Sequence, residues 1–183
     1  MNKLINRDYI HKISKVNIKD THEKNDCCRF LTIYNLEKES DYNFLRQGNS
    51  VDSEPGCICS NNLGIELVGI YDNEYQAEKI WSAARGKITY KQPKTLLLTF
   101  KNLQNEIGKK LQKLNNENYD KFTGKIILLC NLHSPLLQDR EVKNWIELYT
   151  PFRKNGYFAR YFYEIWVSWK SEVDGSWKVA KLE

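Results

Sequence analysis

A mixed α/β fold, one sheet layered by helices, is predicted by three observations. Apolar runs of strand length recur at Cys57–Cys59, Leu63–Ile70, Thr95–Phe100, Lys125–Asn131 and Tyr161–Trp169. Stretches with apolar residues at helical spacing lie between them, which points to an α/β or α+β sheet covered by helices. No internal repeat, low-complexity tract or interior linker divides the chain, and its 183 residues suffice for one domain with a real core.

Residues 1–28 are polar, rich in Asn and Lys and weakly periodic. They read as an N-terminal arm, helical around Tyr9–Val16, ahead of a single domain over residues 29–183. Phe30 to Phe44 has helical traits, with Leu31, Tyr34, Leu36 and Leu45 as an apolar stripe and Glu37 and Glu39 near its border. Gln47-Gly48-Asn49 stops that helix, and Pro55 leads into a hairpin. The hairpin joins Cys57–Cys59 to Leu63–Ile70 through the polar turn Ser60-Asn61-Asn62. Glu66 sits in the middle of the second, otherwise apolar strand. An ionised carboxylate there is costly unless a cation or a hydrogen-bond network meets it, so Glu66 either points into a site or is paired.

A helix is expected from Glu74 to Arg85, with Ala77, Ile80, Trp81 and Ala84 on one face, and a strand over Thr95–Phe100. The next helix, Lys101 to Leu114, carries Leu103, Ile107, Leu111 and Leu114 as its stripe. Lys110, three residues after Ile107 and four before Leu114, falls on the inward border of that helix. Lys125–Asn131 is a buried strand, and a helix around Glu141–Tyr149 carries Trp145. The long strand Tyr161–Trp169 turns at Asp174-Gly175 into a final strand over Trp177–Leu182. Its aromatics, with Arg153, Lys154, Arg160 and Lys170, suit base stacking and phosphate pairing, but a strand covered on both faces is the simpler reading.

Five cysteines without a visible export signal read as reduced, buried thiols in a cytoplasmic protein. Cys57 and Cys59 share one face of their strand, and their spacing is not that of a zinc knuckle. No apolar run is long enough to cross a bilayer. The net charge is +5, unevenly spread. Glu37 to Glu78 is locally acidic, whereas Arg85 to Lys125 holds ten Lys and Arg against Glu106, Glu117 and Asp120. A metal-dependent enzyme acting on a polyanion needs such a juxtaposition, although two differently charged solvated faces are the simpler account. The phosphate-binding loops G-x-x-x-x-G-K-[ST] and G-x-G-x-x-G are absent, so no dinucleotide cofactor is expected. H-E-x-x-H and G-x-S-x-G are absent as well.

What remains is the order of elements, and here the chain resembles the PD-(D/E)XK nuclease superfamily over roughly residues 30–182. Glu54-Pro55-Gly56-Cys57-Ile58-Cys59 stands in the place of that family's E-P-D-apolar run. Leu63-Gly64-Ile65-Glu66-Leu67-Val68 stands in the place of G-I-E-x-[TK]. The resemblance implies a restriction-endonuclease-like mixed central sheet flanked by helices. It also implies Mg²⁺-dependent hydrolysis of phosphodiester bonds in DNA, with the family's Asp and the strand carboxylate Glu66 on the metal, Glu39 added from the preceding helix, and a lysine positioning water. Glu54, two residues before Gly56 and on the same side of an extended chain, is the candidate to take the Asp's place on the metal. Two positions depart from the pattern: Gly56 stands where the Asp belongs and Val68 where the Lys belongs. Members of the superfamily move the Lys to a neighbouring helix, which makes Lys110 the candidate here, ahead of Gln76. The alternative is an inactive nuclease-fold module that binds nucleic acid or a protein partner, in the manner of an immunity or interaction protein. A homodimer is compatible with either.

Overall fold

The computed structural model describes residues 7–70, 105–110, 112, 119, 121–133, 138–153 and 162–183. The helix expected at residues 74–85, the strand at residues 95–100 and the candidate Gln76 lie outside the described residues. Among the described residues the chain builds a six-stranded sheet whose spatial order follows the sequence: β1 (Phe44–Gln47), β2 (Cys57–Cys59), β3 (Leu63–Ile70), β4 (Lys125–Leu132), β5 (Glu164–Lys170) and β6 (Trp177–Lys181). The first three strands form an antiparallel meander. β3, β4 and β5 are parallel, and β6 returns antiparallel to β5. The helices are α1 (Arg7–Lys38), α2 (residues 105–110) and α3 (Asp139–Arg153). The mixed sheet and its helices agree with the fold class read from the sequence.

The first correction concerns the N-terminal third. α1 is one continuous helix of 32 residues that crosses the expected arm–domain boundary at residue 28/29. Cys27 and Phe30 lie side by side in the same core. α1 ends earlier than expected, at Lys38, because Glu39 takes a left-handed conformation (φ 49°) and the Ser40 N–H donates to Asn35 O at 3.0 Å. This is a Schellman closure, which satisfies a terminal carbonyl of the helix. Asn35 extends the closure: its side chain accepts from the Tyr42 N–H and donates to Tyr42 O. Phe44–Gln47, expected to end a helix, is therefore the first strand. Of the predicted stripe, Leu31 and Tyr34 are buried, while Leu36 and Leu45 are exposed.

The predicted hairpin is present, with Cys57 opposite Ile65 and Cys59 opposite Leu63. Asn61 and Asn62 both have φ of 54°, a conformation that asparagine tolerates better than most residues. Gly64 in β3 has no room for a side chain, since a Cβ there would lie 2.5 Å from the Pro55 ring and 2.9 Å from Phe122.

Two apolar layers cover the sheet. On one face α1 supplies Cys27, Phe30, Leu31 and Tyr34 against Ile65, Leu129 and Trp166. On the other, Ile107 of α2 and Val142 and Trp145 of α3 pack on Val68, Leu128 and Val167. β5 is buried on both faces, as the simpler reading of its aromatics expects. Trp166 meets the Phe30 and Tyr34 rings edge-on at 5.6 and 5.5 Å, while Ile165, Val167 and Trp169 face the other core. α3 is fixed at its first residue. The Asp139 carboxylate accepts from Trp169 Nε1, Ser171 Oγ and Lys178 Nζ at 2.6–2.8 Å. A carboxylate at that terminus is also favoured by the helix dipole.

Candidate functional site

Alternation along β3 turns Ile65 toward α1 and Glu66 toward the α2 face, where Glu66 lies beside Leu128 of β4. Glu66 is only 5% exposed in this apolar row. Three groups converge on it. Lys110, projecting from the inner border of α2 as its spacing predicts, makes an ion pair with Glu66 Oε1. The Gly56 N–H, just ahead of β2, donates to Oε2 at 2.9 Å. The Tyr119 phenol stands against the same carboxylate. Burial, and then the negative charge of Glu66, hold that phenol well above its ordinary range. The carboxylate thus has the opposite charge and the hydrogen bonds that its burial demands.

Glu66 and Lys110 are therefore brought together, 44 residues apart in the chain. Of the two other candidate carboxylates, one is paired elsewhere and the other belongs to the residue that ends a helix. Glu54 forms a forked pair with Arg46, both N···O distances being 2.6 Å, and its Oε2 also accepts from the Asn49 N–H at 2.9 Å. The Arg46 guanidinium and then the Asn49 amide lower the Glu54 pKa to about 2. Glu39 is exposed and occupies the left-handed position that ends α1. Its conformation serves the helix stop.

A Mg²⁺ ion takes a near-octahedral set of oxygens, usually with one or two carboxylates. Here one carboxylate faces the site, with one oxygen on an ammonium and the other on an amide. No group of three or more His, Cys, Asp or Glu able to hold a metal ion is found among the described residues. These donors do not fit Mg²⁺. Gly56 explains the deficit geometrically. A Cβ built on it would lie 3.8 Å from Glu66 Oε2, in ordinary van der Waals contact with its surroundings, so a carboxylate at this position would adjoin Glu66.

Sequence reasoning missed two participants and one comparable buried carboxylate outside the site. The Gly56 amide carries no side-chain signal, and Tyr119 follows a stretch without clear periodicity. The comparable carboxylate is Glu164, also 5% exposed, on the opposite face of the sheet. It accepts from Lys181 Nζ and Trp166 Nε1, both at 2.8 Å, and pairs with Lys38 at 3.4 Å. A lone carboxylate in an apolar run singled out Glu66, and the same argument applies to Glu164.

No helix among the described residues is long and apolar enough to cross a membrane. Compared with known proteins, the chain matches no family model, no curated protein and no solved structure.

Proposed function

We propose that the chain is a nuclease-fold module that binds nucleic acid without hydrolysing it through a metal on Glu66. One observation carries the reading: Glu66 and Lys110 stand together at the position the resemblance assigns to catalysis, while Gly56 leaves the adjoining carboxylate position empty. The order of helix, antiparallel meander and parallel fourth strand supports the fold assignment. The net charge of +5 favours a polyanionic partner.

The test combines fluorescence anisotropy with a cleavage assay on single- and double-stranded DNA. Binding should weaken linearly in log affinity as log salt rises, and the DNA should remain intact in Mg²⁺ and Mn²⁺. Gly56→Asp should create Mn²⁺ binding, measured by calorimetry, that Glu66→Gln removes. Absence of salt-dependent binding would refute the module.

A second reading, a Mg²⁺-dependent nuclease, is favoured by Lys110 itself, which sits against Glu66 as a water-positioning lysine does in the superfamily. Metal-dependent cleavage by the unaltered chain, abolished by Glu66→Ala, would establish it over the first.

A further inference from the structure

Three of the five cysteines meet where α1 crosses the edge of the meander. Cys27 is fully buried on α1, and Cys57 and Cys59, also buried, project from β2 toward it. Cys27 Sγ and Cys59 Sγ are 3.9 Å apart, in van der Waals contact. Cys57 Sγ lies 3.9 Å from the carbonyl oxygen of Glu23, one helical turn before Cys27. Cys28, the neighbour of Cys27, faces outward and is exposed.

From this contact we infer that Cys27 and Cys59 form an oxidisable pair, which a small peroxide converts to a disulfide joining α1 to β2. Cys59 is the attacking sulfur. Its hydrogen-bonded contact with Cys27 favours its thiolate against the opposing effect of burial, while hydrogen bonds to Cys57 and Cys59, and then burial, keep Cys27 protonated. The Cys59 thiolate takes one oxygen from hydrogen peroxide, and the departing hydroxide collects a proton to become water. Cys27 then attacks the sulfenic sulfur, forming the S–S bond and releasing a second water once the Cys27 proton is counted. Two thiols are oxidised, one peroxide is reduced, and a thiol reductant reverses the bond. The burial of both sulfurs restricts the reaction to small oxidants and shields the sulfenic acid from further oxidation.

The experiment treats the folded full-length chain with stoichiometric hydrogen peroxide, caps remaining thiols with N-ethylmaleimide, and maps peptides by mass spectrometry without reduction. The expected product is a Cys27–Cys59 linked peptide, two hydrogens lighter than its parts and restored by dithiothreitol. Closing this loop should also raise the thermal midpoint by about 5 °C or more. Cys28→Ser should leave the link in place, and Cys59→Ser should remove both the link and the thermal shift. A map showing oxidation only at Cys28, or Cys27 and Cys59 both alkylated after treatment, would overturn the inference. Because the primary readout uses the unaltered protein, poor folding of a variant does not affect it.

Discussion

The two buried carboxylates, Glu66 and Glu164, have the same exposure, 5%, and opposite surroundings. Glu164 is held by elements that already adjoin it. Lys181 comes from the neighbouring strand β6, Lys38 from the last turn of α1, and the Trp166 indole from two residues along β5. Two ammonium groups share one oxygen, so losing either leaves the charge compensated. Glu66 instead takes its ammonium from α2, 44 residues away, and its amide from a glycine with room for a side chain. Burial alone thus does not separate a structural carboxylate from a site. The distinguishing features are the provenance and redundancy of the partners.

The strongest way to break this comparison is to remove one lysine from each side. Lys110→Met should cost about 3–5 kcal/mol in urea unfolding, because it strands a buried charge. Adding Glu66→Gln should restore much of that loss. A cost as small as that of a surface pair would mean that Glu66 does not depend on Lys110.

The comparison is best made above pH 6.5, because the half-buried His133 has its own acid response. Burial, and after it Arg29 and His22, lowers the His133 pKa from 6.5 to about 4. The unfolded chain then binds a proton that the folded chain refuses. Stability should therefore be fully present above pH 6.5 and should fall as pH drops toward 4. His133→Gln should flatten that part of the profile. The Glu54–Arg46 pair acts lower, its contribution fading between the ordinary carboxylate value of 4.5 and about 2.

A smaller effect is expected on the Glu164 side. Lys181 is 41% exposed, so its pair is screened by solvent, and Lys38 remains when it is removed. Lys181→Met should cost only about 1 kcal/mol by the same unfolding measurement. The smallest effect has the opposite sign. Glu39→Gly relieves a left-handed non-glycine residue at the α1 terminus and should add about 0.5–1 kcal/mol in the same urea unfolding.

Much of the sheet was legible because its strands are apolar runs bounded by turns, and β2, β3, β4 and β5 fall close to where periodicity places them. α1 was not. Its first twenty residues are polar, and its register is set by packing of Cys27, Phe30 and Tyr34 on Trp166, a contact 136 residues distant for Phe30. β1 was missed because Phe44 and Leu45 continue a helical spacing that the Glu39 turn interrupts. The inward border of α2 does put Lys110 on the side that meets Glu66. Glu54 was placed by strand alternation, which says nothing of the competing Arg46 eight residues earlier, on β1. The forked pair with Arg46 is a tertiary outcome that local spacing does not encode.

The span between Glu66 and Lys110 also has a temporal meaning. A ribosome adding about 5–20 residues per second delivers Lys110 some 2–9 s after Glu66. The residues of α1 and the meander all precede those of α2 and β4, so this part of the fold is available for assembly before the α2 face is covered. During that interval neither α2 nor β4 exists to cover Glu66, so its carboxylate can keep its water. Arrival of Lys110 and β4 then closes that face over a charge already matched, so the nascent chain avoids burying an unpaired carboxylate.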